Sequence, residues 1–161
     1  MQETLTAALE REHQEIDAGL AAFVDGLDSD ELRGAELDRP ADALRRHIYL
    51  EEEFLFPPLR AAGMVPPVLV MLREHGEIWR TLEALELDVG PGTAAGTAQD
   101  RSVVARELLA QLARHNAKEE PIIYPQGDAV LSDQAKAELH EFIDNGRMPP
   151  GWVCAQARPR G

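Results

Sequence analysis

The sequence predicts an all-α fold, an up-down four-helix bundle with a short fifth C-terminal helix and an irregular tail. Four long segments repeat apolar residues every three or four positions, as amphipathic helices do. Each segment carries one histidine within its apolar stripe, and the second and fourth segments add a glutamate four residues later. A chain of 161 residues suits a single domain with an ordinary core. We expect that domain over residues 1–146 and a Pro/Gly-rich tail over residues 147–161.

The first helix is predicted from about Thr4 to Leu27. Its apolar stripe places His13 between Leu9 and Ile16, on the face that turns inward. A polar connection over residues 28–36 follows this helix. The histidine is therefore expected inside the bundle.

The second helix is expected to begin with Asp38 as its N-cap and Pro40 in its first turn. His47 and Glu51 lie on its apolar face. Pro57 cannot donate a hydrogen bond to the carbonyl four residues earlier, so it should kink or end the helix.

The third helix is predicted from about Pro66 to Val89, with His75 in its stripe. A flexible linker of small residues, 90–99, follows it. The fourth helix should open near residues 100–102 and carry His115 and Glu119 in register. Pro121 is expected to bend it near these side chains.

A fifth helix is predicted from Ser132, as its cap, to Asn145, with Gly146 as its stop. The segment after it contains too much Pro and Gly for a helix. Trp152 is the residue expected to fasten this tail to the bundle.

An internal repeat joins the polar residues of the stripes. The motif His-x-x-x-Glu-Glu occurs twice, 68 positions apart, and on a helix its histidine and first glutamate lie on one face. A buried glutamate needs a partner, and the stripes contain no Lys or Arg near these glutamates, so the partner is expected to be a metal ion. The candidate metal ligands are His13, His47, Glu51, His75, His115 and Glu119.

The glutamates beside the ligands receive less weight. Glu52 and Glu120 are turned about 100° from the ligand face. They are expected either in solvent or in contact with the ligands from outside. Glu12 and Glu74, each just before a candidate histidine, are interpreted as charges on the helix surface.

Three further polar residues, Asp17, His140 and Tyr124, lie on the predicted helices outside the ligand set. Asp17, one turn beyond His13, either orients that imidazole or is exposed. His140 is interpreted as a surface histidine. Tyr124, five residues after Glu119, is a lesser candidate for approaching the metals.

The bulk properties limit the partners and the kind of site. A net charge of −13 argues against nucleic acid and anionic membrane surfaces. The sequence shows no signal-like start and no membrane span. The single cysteine, Cys154, suits a reducing cytoplasm and excludes a zinc site made of thiolates.

Imidazole and carboxylate ligands suit iron, manganese or zinc, and a two-metal bundle with shared carboxylates favours iron. Two octahedral ions offer about twelve ligand positions, of which the histidines, shared glutamates and a bridging oxygen would fill about ten. About one position on each ion would remain for a small molecule such as dioxygen, peroxide or nitric oxide.

The repeated motifs and the two Glu-His pairs resemble the hemerythrin-like family, the HHE cation-binding domain, over roughly residues 4–145. The resemblance implies a four-helix bundle with two iron ions bridged by an oxo or hydroxo group. It also implies roles for the six side chains, namely one iron served by His13 and His47, the other by His75 and His115, and both bridged by Glu51 and Glu119.

The chain departs from the oxygen-carrying hemerythrins at Trp79, where those proteins have a fifth histidine. Trp79 is expected to stack beside His75 and shield one iron. The resemblance then implies a protein that binds or senses dioxygen or a related molecule. The alternative is a di-iron enzyme acting on peroxide or nitric oxide.

Overall fold

The structure, a computed structural model, describes residues 3–28, 34–89 and 98–159. Seven α-helices lie in these ranges: α1 Leu5–Asp28, α2 Gly34–Leu50, α3 Phe56–Ala61, α4 Val65–Val89, α5 Ala98–Lys118, α6 Tyr124–Val130 and α7 Asp133–Asn145. Two π-helical turns, Glu51–Leu55 and Glu119–Ile123, join α2 to α3 and α5 to α6 without a break. The described ranges contain no strand, so the all-α prediction is confirmed there. Residues 29–33 of the predicted connection and 90–97 of the predicted linker lie outside them.

The chain forms four long helical rods, which are α1, α2–α3, α4 and α5–α6, and these rods pack in a ring. Helix α1 contacts α2 and α5, and α4 contacts the same two helices, while α7 lies against α1, α2 and the first π turn. Two buried apolar clusters fill the interior. Cluster one comes from the C-terminal halves of α1 and α4 and from α2 and α5. Cluster two comes from the N-terminal halves of α1 and α4, the end of α2, and α3, α6 and α7.

The start of α2 differs from the prediction. The helix begins at Gly34, so Asp38 is not its N-cap and Pro40 lies within the helix. The proline is buried against α1, where a Cβ at Gly19 would lie only 3.0 Å from the Pro40 side chain. Burial of the ring at this close helix contact offsets the hydrogen bond that proline cannot make.

The π turns explain how the helices pass Pro57 and Pro125. The N–H of Phe56 donates to the carbonyl of Glu51, five residues earlier, and the N–H of Tyr124 donates likewise to Glu119. Each proline then falls in the first turn of the next α-helical segment, where a missing N–H is tolerated. Pro57 therefore does not end the helix, which continues to Ala61.

The C-terminal segment returns to the bundle. The Ser132 hydroxyl accepts the N–H of Ala135, which confirms the predicted cap, and α7 ends before Gly146. The Trp152 ring lies 5.1 Å from that of Tyr49 and 5.7 Å from that of Trp79. Trp152 thus fastens the tail, as expected. None of the described helices is both long and apolar enough to cross a membrane.

Candidate metal centre

All six candidate ligands lie together in the interior, between the two apolar clusters. Their residues are 0–5 % exposed. They form two groups, in each of which four ligand atoms lie within 4.8 Å of one another. We call these the first group (His13, His47, Glu51 and Glu119) and the second group (Glu51, His75, His115 and Glu119). Either group could hold a metal ion.

The two shared glutamates face both groups. Glu119 Oε1 lies 3.3 Å from His13 Nε2, while its Oε2 lies 3.2 Å from His115 Nε2. Glu51 Oε1 lies 3.4 Å from His47 Nε2 and 3.3 Å from the Nε2 atom of His75. The two carboxylates therefore stand between the two pairs of imidazoles.

The donor atoms of this site suit cations. Among the buried atoms of the six candidate ligands, three have no hydrogen-bond partner, namely Glu51 Oε1, Glu119 Oε2 and His75 Nε2. An unpaired polar atom at such depth is costly, and here all three belong to residues of one group of converging donors. Imidazole nitrogens with carboxylate oxygens suit iron, manganese or zinc. The residues present thus fit a pair of metal ions.

Each imidazole is oriented by a second carboxylate. His47 Nδ1 donates to Glu12 Oε1 at 2.8 Å, and His115 Nδ1 donates to Glu74 Oε1 at 2.9 Å. Because an ionised carboxylate only accepts hydrogen bonds, Nδ1 carries a proton, and the ring can present the Nε2 lone pair inward once it is neutral. The interpretation of Glu12 and Glu74 as surface charges is therefore wrong. Glu12 itself is only 8 % exposed.

The other two imidazoles, those of His13 and His75, contact the second glutamate of each His-x-x-x-Glu-Glu motif. His13 Nδ1 lies 3.0 Å from Glu120 Oε1, and His75 Nδ1 lies 2.8 Å from Glu52 Oε2. Of the two alternatives for these glutamates, contact with the ligands is the correct one. A residue next to a ligand points about 100° away from it, and in a bundle this direction leads to the face of a neighbouring helix.

Cations and the tail support this outer layer. Arg46 donates to Glu12 at 3.0 Å and also to backbone carbonyls at the end of α7. Lys118 pairs with Glu74. The backbone N–H of Ala155, in the tail, donates to Glu52 Oε1 at 2.9 Å. The orientation of the ligands is thus tied to distant parts of the chain.

The electrostatic coupling of the buried groups is strong. Burial alone would lower the pKa of His115, but the Glu119 and Glu74 carboxylates outweigh it and raise this pKa to about 10. Burial alone would raise the pKa of Glu119, but His115 and His13 hold it well below its usual range. Without a cation, the protein therefore keeps protons on imidazoles that a metal ion would have to displace.

Tyr124 is the central residue that the sequence interpretation undervalued. Its hydroxyl oxygen lies 2.8 Å from His13 Nε2 and 3.2 Å from His47 Nε2. It also lies 2.8 Å from Glu51 Oε2 and 3.0 Å from Glu119 Oε1. Burial and the two carboxylates raise its pKa well above the usual value.

Tyr124 reaches the site because a π turn, Glu119–Ile123, precedes it. In an α-helix, a residue five positions after Glu119 would be rotated by about 140° from it. The five-residue turn brings Tyr124 back to nearly the same face. Pro121 and Pro125, which cannot continue the ordinary hydrogen-bond pattern, are the signals in the sequence that pointed to this irregularity.

Trp79 does not lie where it was expected. The ring stacked on His75 is that of Phe56, with centroids 5.5 Å apart. Trp79 instead contacts Trp152, and the Arg45 guanidinium lies 5.2 Å from its ring centroid. The indole of Trp79 is therefore part of the contact between α4 and the tail. His140 lies on α7 and belongs to neither group.

A small cavity opens onto both groups. Its walls are five aliphatic side chains, two polar residues and the site itself: Ile16, Leu44, Ile48, Ile78, Leu112, Asp17, Asn116, His13, His47, Glu51, His75 and His115. The volume open to the centre of a water molecule is about 10 Å³, enough for roughly one such molecule. Asp17 is thus found in the wall of this cavity.

The chain is similar to several known sequences and to one family model. An uncharacterized protein of Mycobacterium bovis and two from strains of Mycobacterium tuberculosis are each 26 % identical to the chain over 149 residues. These matches cover 85 % of the chain but only 58 % of each relative's length. No solved structure matches significantly. The model of the hemerythrin HHE cation-binding domain matches residues 4–126. A match over that span, on a chain whose motifs converge in two groups of ligands, means that the protein belongs to the hemerythrin HHE cation-binding family.

Proposed function

We propose that this protein holds two iron ions and uses them to bind or sense dioxygen or a related small molecule. The observation that carries the proposal is the pair of buried four-residue groups that share both glutamates beneath one small cavity. His13 and His47 would hold one ion, His75 and His115 the other, and Glu51 and Glu119 would bridge them. The relatives are longer than this chain, so the proposal concerns the domain alone.

The proposal includes an up-down arrangement of the four long helical rods. Membership of the two apolar clusters supports it. Along α1 and α4 the chain passes from cluster two to cluster one, and along α2–α3 and α5–α6 it passes from cluster one to cluster two. Alternating directions follow, with the ligands between the clusters in every rod.

Iron is preferred over manganese or zinc for this site. Two imidazoles and two shared carboxylates on each ion leave coordination positions open, and iron adds one-electron chemistry there. The outer carboxylates hold each imidazole in the tautomer that can donate from Nε2, and such partners commonly change metal affinity 10- to 100-fold.

The cavity supports a small, weakly polar ligand. Five aliphatic side chains line it beside the site residues, and they limit the contact of bulk water with the open coordination positions. Its size suits a molecule of two heavy atoms better than an organic substrate. Dioxygen, nitric oxide and hydrogen peroxide all meet that limit.

With a net charge of −13, nucleic acid and membrane surfaces are not the expected partners, and a cytoplasmic setting suits the single cysteine.

A second candidate function is the breakdown of peroxide, and the two polar residues of the cavity favour it. Asn116 Oδ1 is buried with no hydrogen-bond partner. Burial raises the pKa of Asp17, so that this carboxyl holds a proton more readily. Converting two hydrogen peroxide molecules into dioxygen and two waters requires proton transfer between oxygens, for which such groups are suited.

One set of measurements tests the proposal. Protein loaded anaerobically with ferrous iron should contain about two iron atoms per chain, and its ultraviolet-visible spectrum should change when air is admitted. Zero or one metal ion per chain after reconstitution would contradict the two-iron site. Peroxide added to the loaded protein separates the two candidates, because dioxygen release on an oxygen electrode favours the enzyme and its absence favours the binding protein.

A further inference from the structure

Tyr124 lies among the ligands of the first group. The residue is fully buried, and its hydroxyl oxygen lies 2.8–3.2 Å from one donor atom of each of the four residues of that group. One hydroxyl proton can be donated to only one of these atoms. The oxygen can also accept at most two hydrogen bonds, so four donor atoms around it are one more than hydrogen bonding can use.

The spacing is the one found between neighbouring ligands of a single ion. Donor atoms about 2.1 Å from an octahedral metal ion, at right angles to each other, lie about 3 Å apart. His13 Nε2 and Glu119 Oε1, two members of the first group, are themselves 3.3 Å apart. The Tyr124 oxygen keeps similar distances to all four residues, as a fifth ligand of the same ion would.

In the part of the chain that the structure describes, no hydroxyl oxygen contacts His75 or His115, the two imidazoles of the second group, in this way. The residue that matches Tyr124 in the first copy of the motif is Phe56, five residues after Glu51 and also next to a π turn. Its ring stacks on His75. The three donor atoms without partners are oxygens of the two shared glutamates and a nitrogen of His75, which belongs to the second group alone. At the position five residues after the shared glutamate, the two copies of the repeat therefore place different side chains against the site.

We propose that the Tyr124 phenolate is a ligand of the metal ion held by the first group, so that the two ions of the centre are chemically unequal. The inference rests on the proposed two-iron site. On binding, the phenol O–H bond breaks, an oxygen–iron bond forms and the proton leaves to solvent. The ion in the first group then has one fewer open position than its neighbour, and small molecules bind at the second group.

The test uses the full chain, whose only tyrosines are Tyr49 and Tyr124. Wild type, Tyr124→Phe and Tyr49→Phe are loaded with ferrous iron, oxidised in air and examined for iron content, visible absorption and resonance Raman scattering. A phenolate bound to ferric iron gives a broad charge-transfer band and enhanced ring vibrations. We expect both signals in wild type and Tyr49→Phe, and their complete loss in Tyr124→Phe with about two irons retained.

Each other outcome decides against the inference. Two irons in wild type without phenolate vibrations would overturn it and leave the proposed function standing. Signals that vanish in Tyr49→Phe, or that persist in Tyr124→Phe, would overturn it as well. Absence of bound iron would overturn the inference and the two-iron proposal together. Should Tyr124→Phe fail to fold, the signals of wild type and Tyr49→Phe still decide, because only one other tyrosine exists.

Discussion

The first and second groups of the metal centre differ at one matched side chain. Both have two imidazoles, both share Glu51 and Glu119, and every imidazole is held by an outer glutamate. The first group adds the Tyr124 hydroxyl, whereas the second has the Phe56 ring against His75. A repeat of helical spacing thus places equal ligands in both groups, and a single substitution within the repeat is enough to make the groups unequal.

The largest effect is expected from removing a shared glutamate, because this affects both groups at once. Glu119→Ala should lower the iron content from about two towards zero and remove the stability that metal binding contributes. Without metal, it should still cost about 3–5 kcal/mol, since buried imidazoles lose their anionic partner. Elemental analysis and urea unfolding measure these changes. His140→Ala, the control, should stay within ~0.5 kcal/mol of wild type. Equal behaviour of the two variants would contradict the role given to Glu119.

The outer glutamates allow a comparison of the groups one at a time. Glu12→Gln should weaken binding of the ion in the first group, and Glu74→Gln should weaken binding of the ion in the second group. In a chelator competition, each affinity should fall about 10- to 100-fold. Glu12→Gln should also reduce stability more, because Glu12 is more buried and binds Arg46, which holds the end of α7. If either change weakened both ions equally, the assignment of one imidazole pair to each ion would be wrong.

Rising pH should have opposite effects on the two contributions to stability, lowering the one from protonated His115 in metal-free protein and raising the one from metal binding. The pKa of His115 is raised to about 10 in the folded protein from about 6.5 unfolded, so its contribution is complete below about pH 6.5. That contribution is lost as pH rises through about 10. Metal binding displaces the same proton and so strengthens over this window. Thermal unfolding of chelator-treated and iron-loaded protein should therefore diverge as pH rises. Convergence would count against this linkage.

The smallest effect is expected at the tail. Trp152→Ala removes ring contacts with Tyr49 and Trp79 and a hydrogen bond to Glu53. It should cost about 1–3 kcal/mol in urea unfolding, because the side chain is only partly buried. Iron content should stay near two, with a slight weakening of the second ion through Ala155 and Glu52. A loss of iron as large as that of Glu12→Gln would show that the tail is part of the site.

The sequence was sufficient to identify the residues that converge. Periodicity predicted helices and their inward faces, and the i, i+4 spacing placed His47 with Glu51 and His115 with Glu119. The cap at Ser132 was also predicted, because a hydroxyl beside the first free N–H groups acts locally. These features depend on a few neighbouring residues, which is why sequence reasoning reaches them.

Contacts between helices were less accessible. The sequence alone predicts Glu12 and Glu74 on the surface, because a residue next to a ligand points about 100° away from it. In the bundle that direction meets another helix and its imidazole instead of water. The position of Trp79 could not be predicted either, because its partner Trp152 approaches from a tail about 70 residues away in the sequence. Both errors come from treating one helix at a time.

The two π turns have a further consequence for how the chain tolerates changes in length. Each turn uses one residue more than an α-helical turn, so the helix beyond it is rotated by about 100° relative to an uninterrupted helix. The histidines and glutamates of the site precede this change of phase, while Phe56 and Leu59 in the first copy and Tyr124 in the second follow it and lie in the core. Deleting one residue within either turn would leave the histidine and glutamate in place and turn the following apolar face towards solvent. In these two rods, the histidine–glutamate pair therefore belongs to one helical phase, and Tyr124 or Phe56, which also contacts the site, belongs to the next.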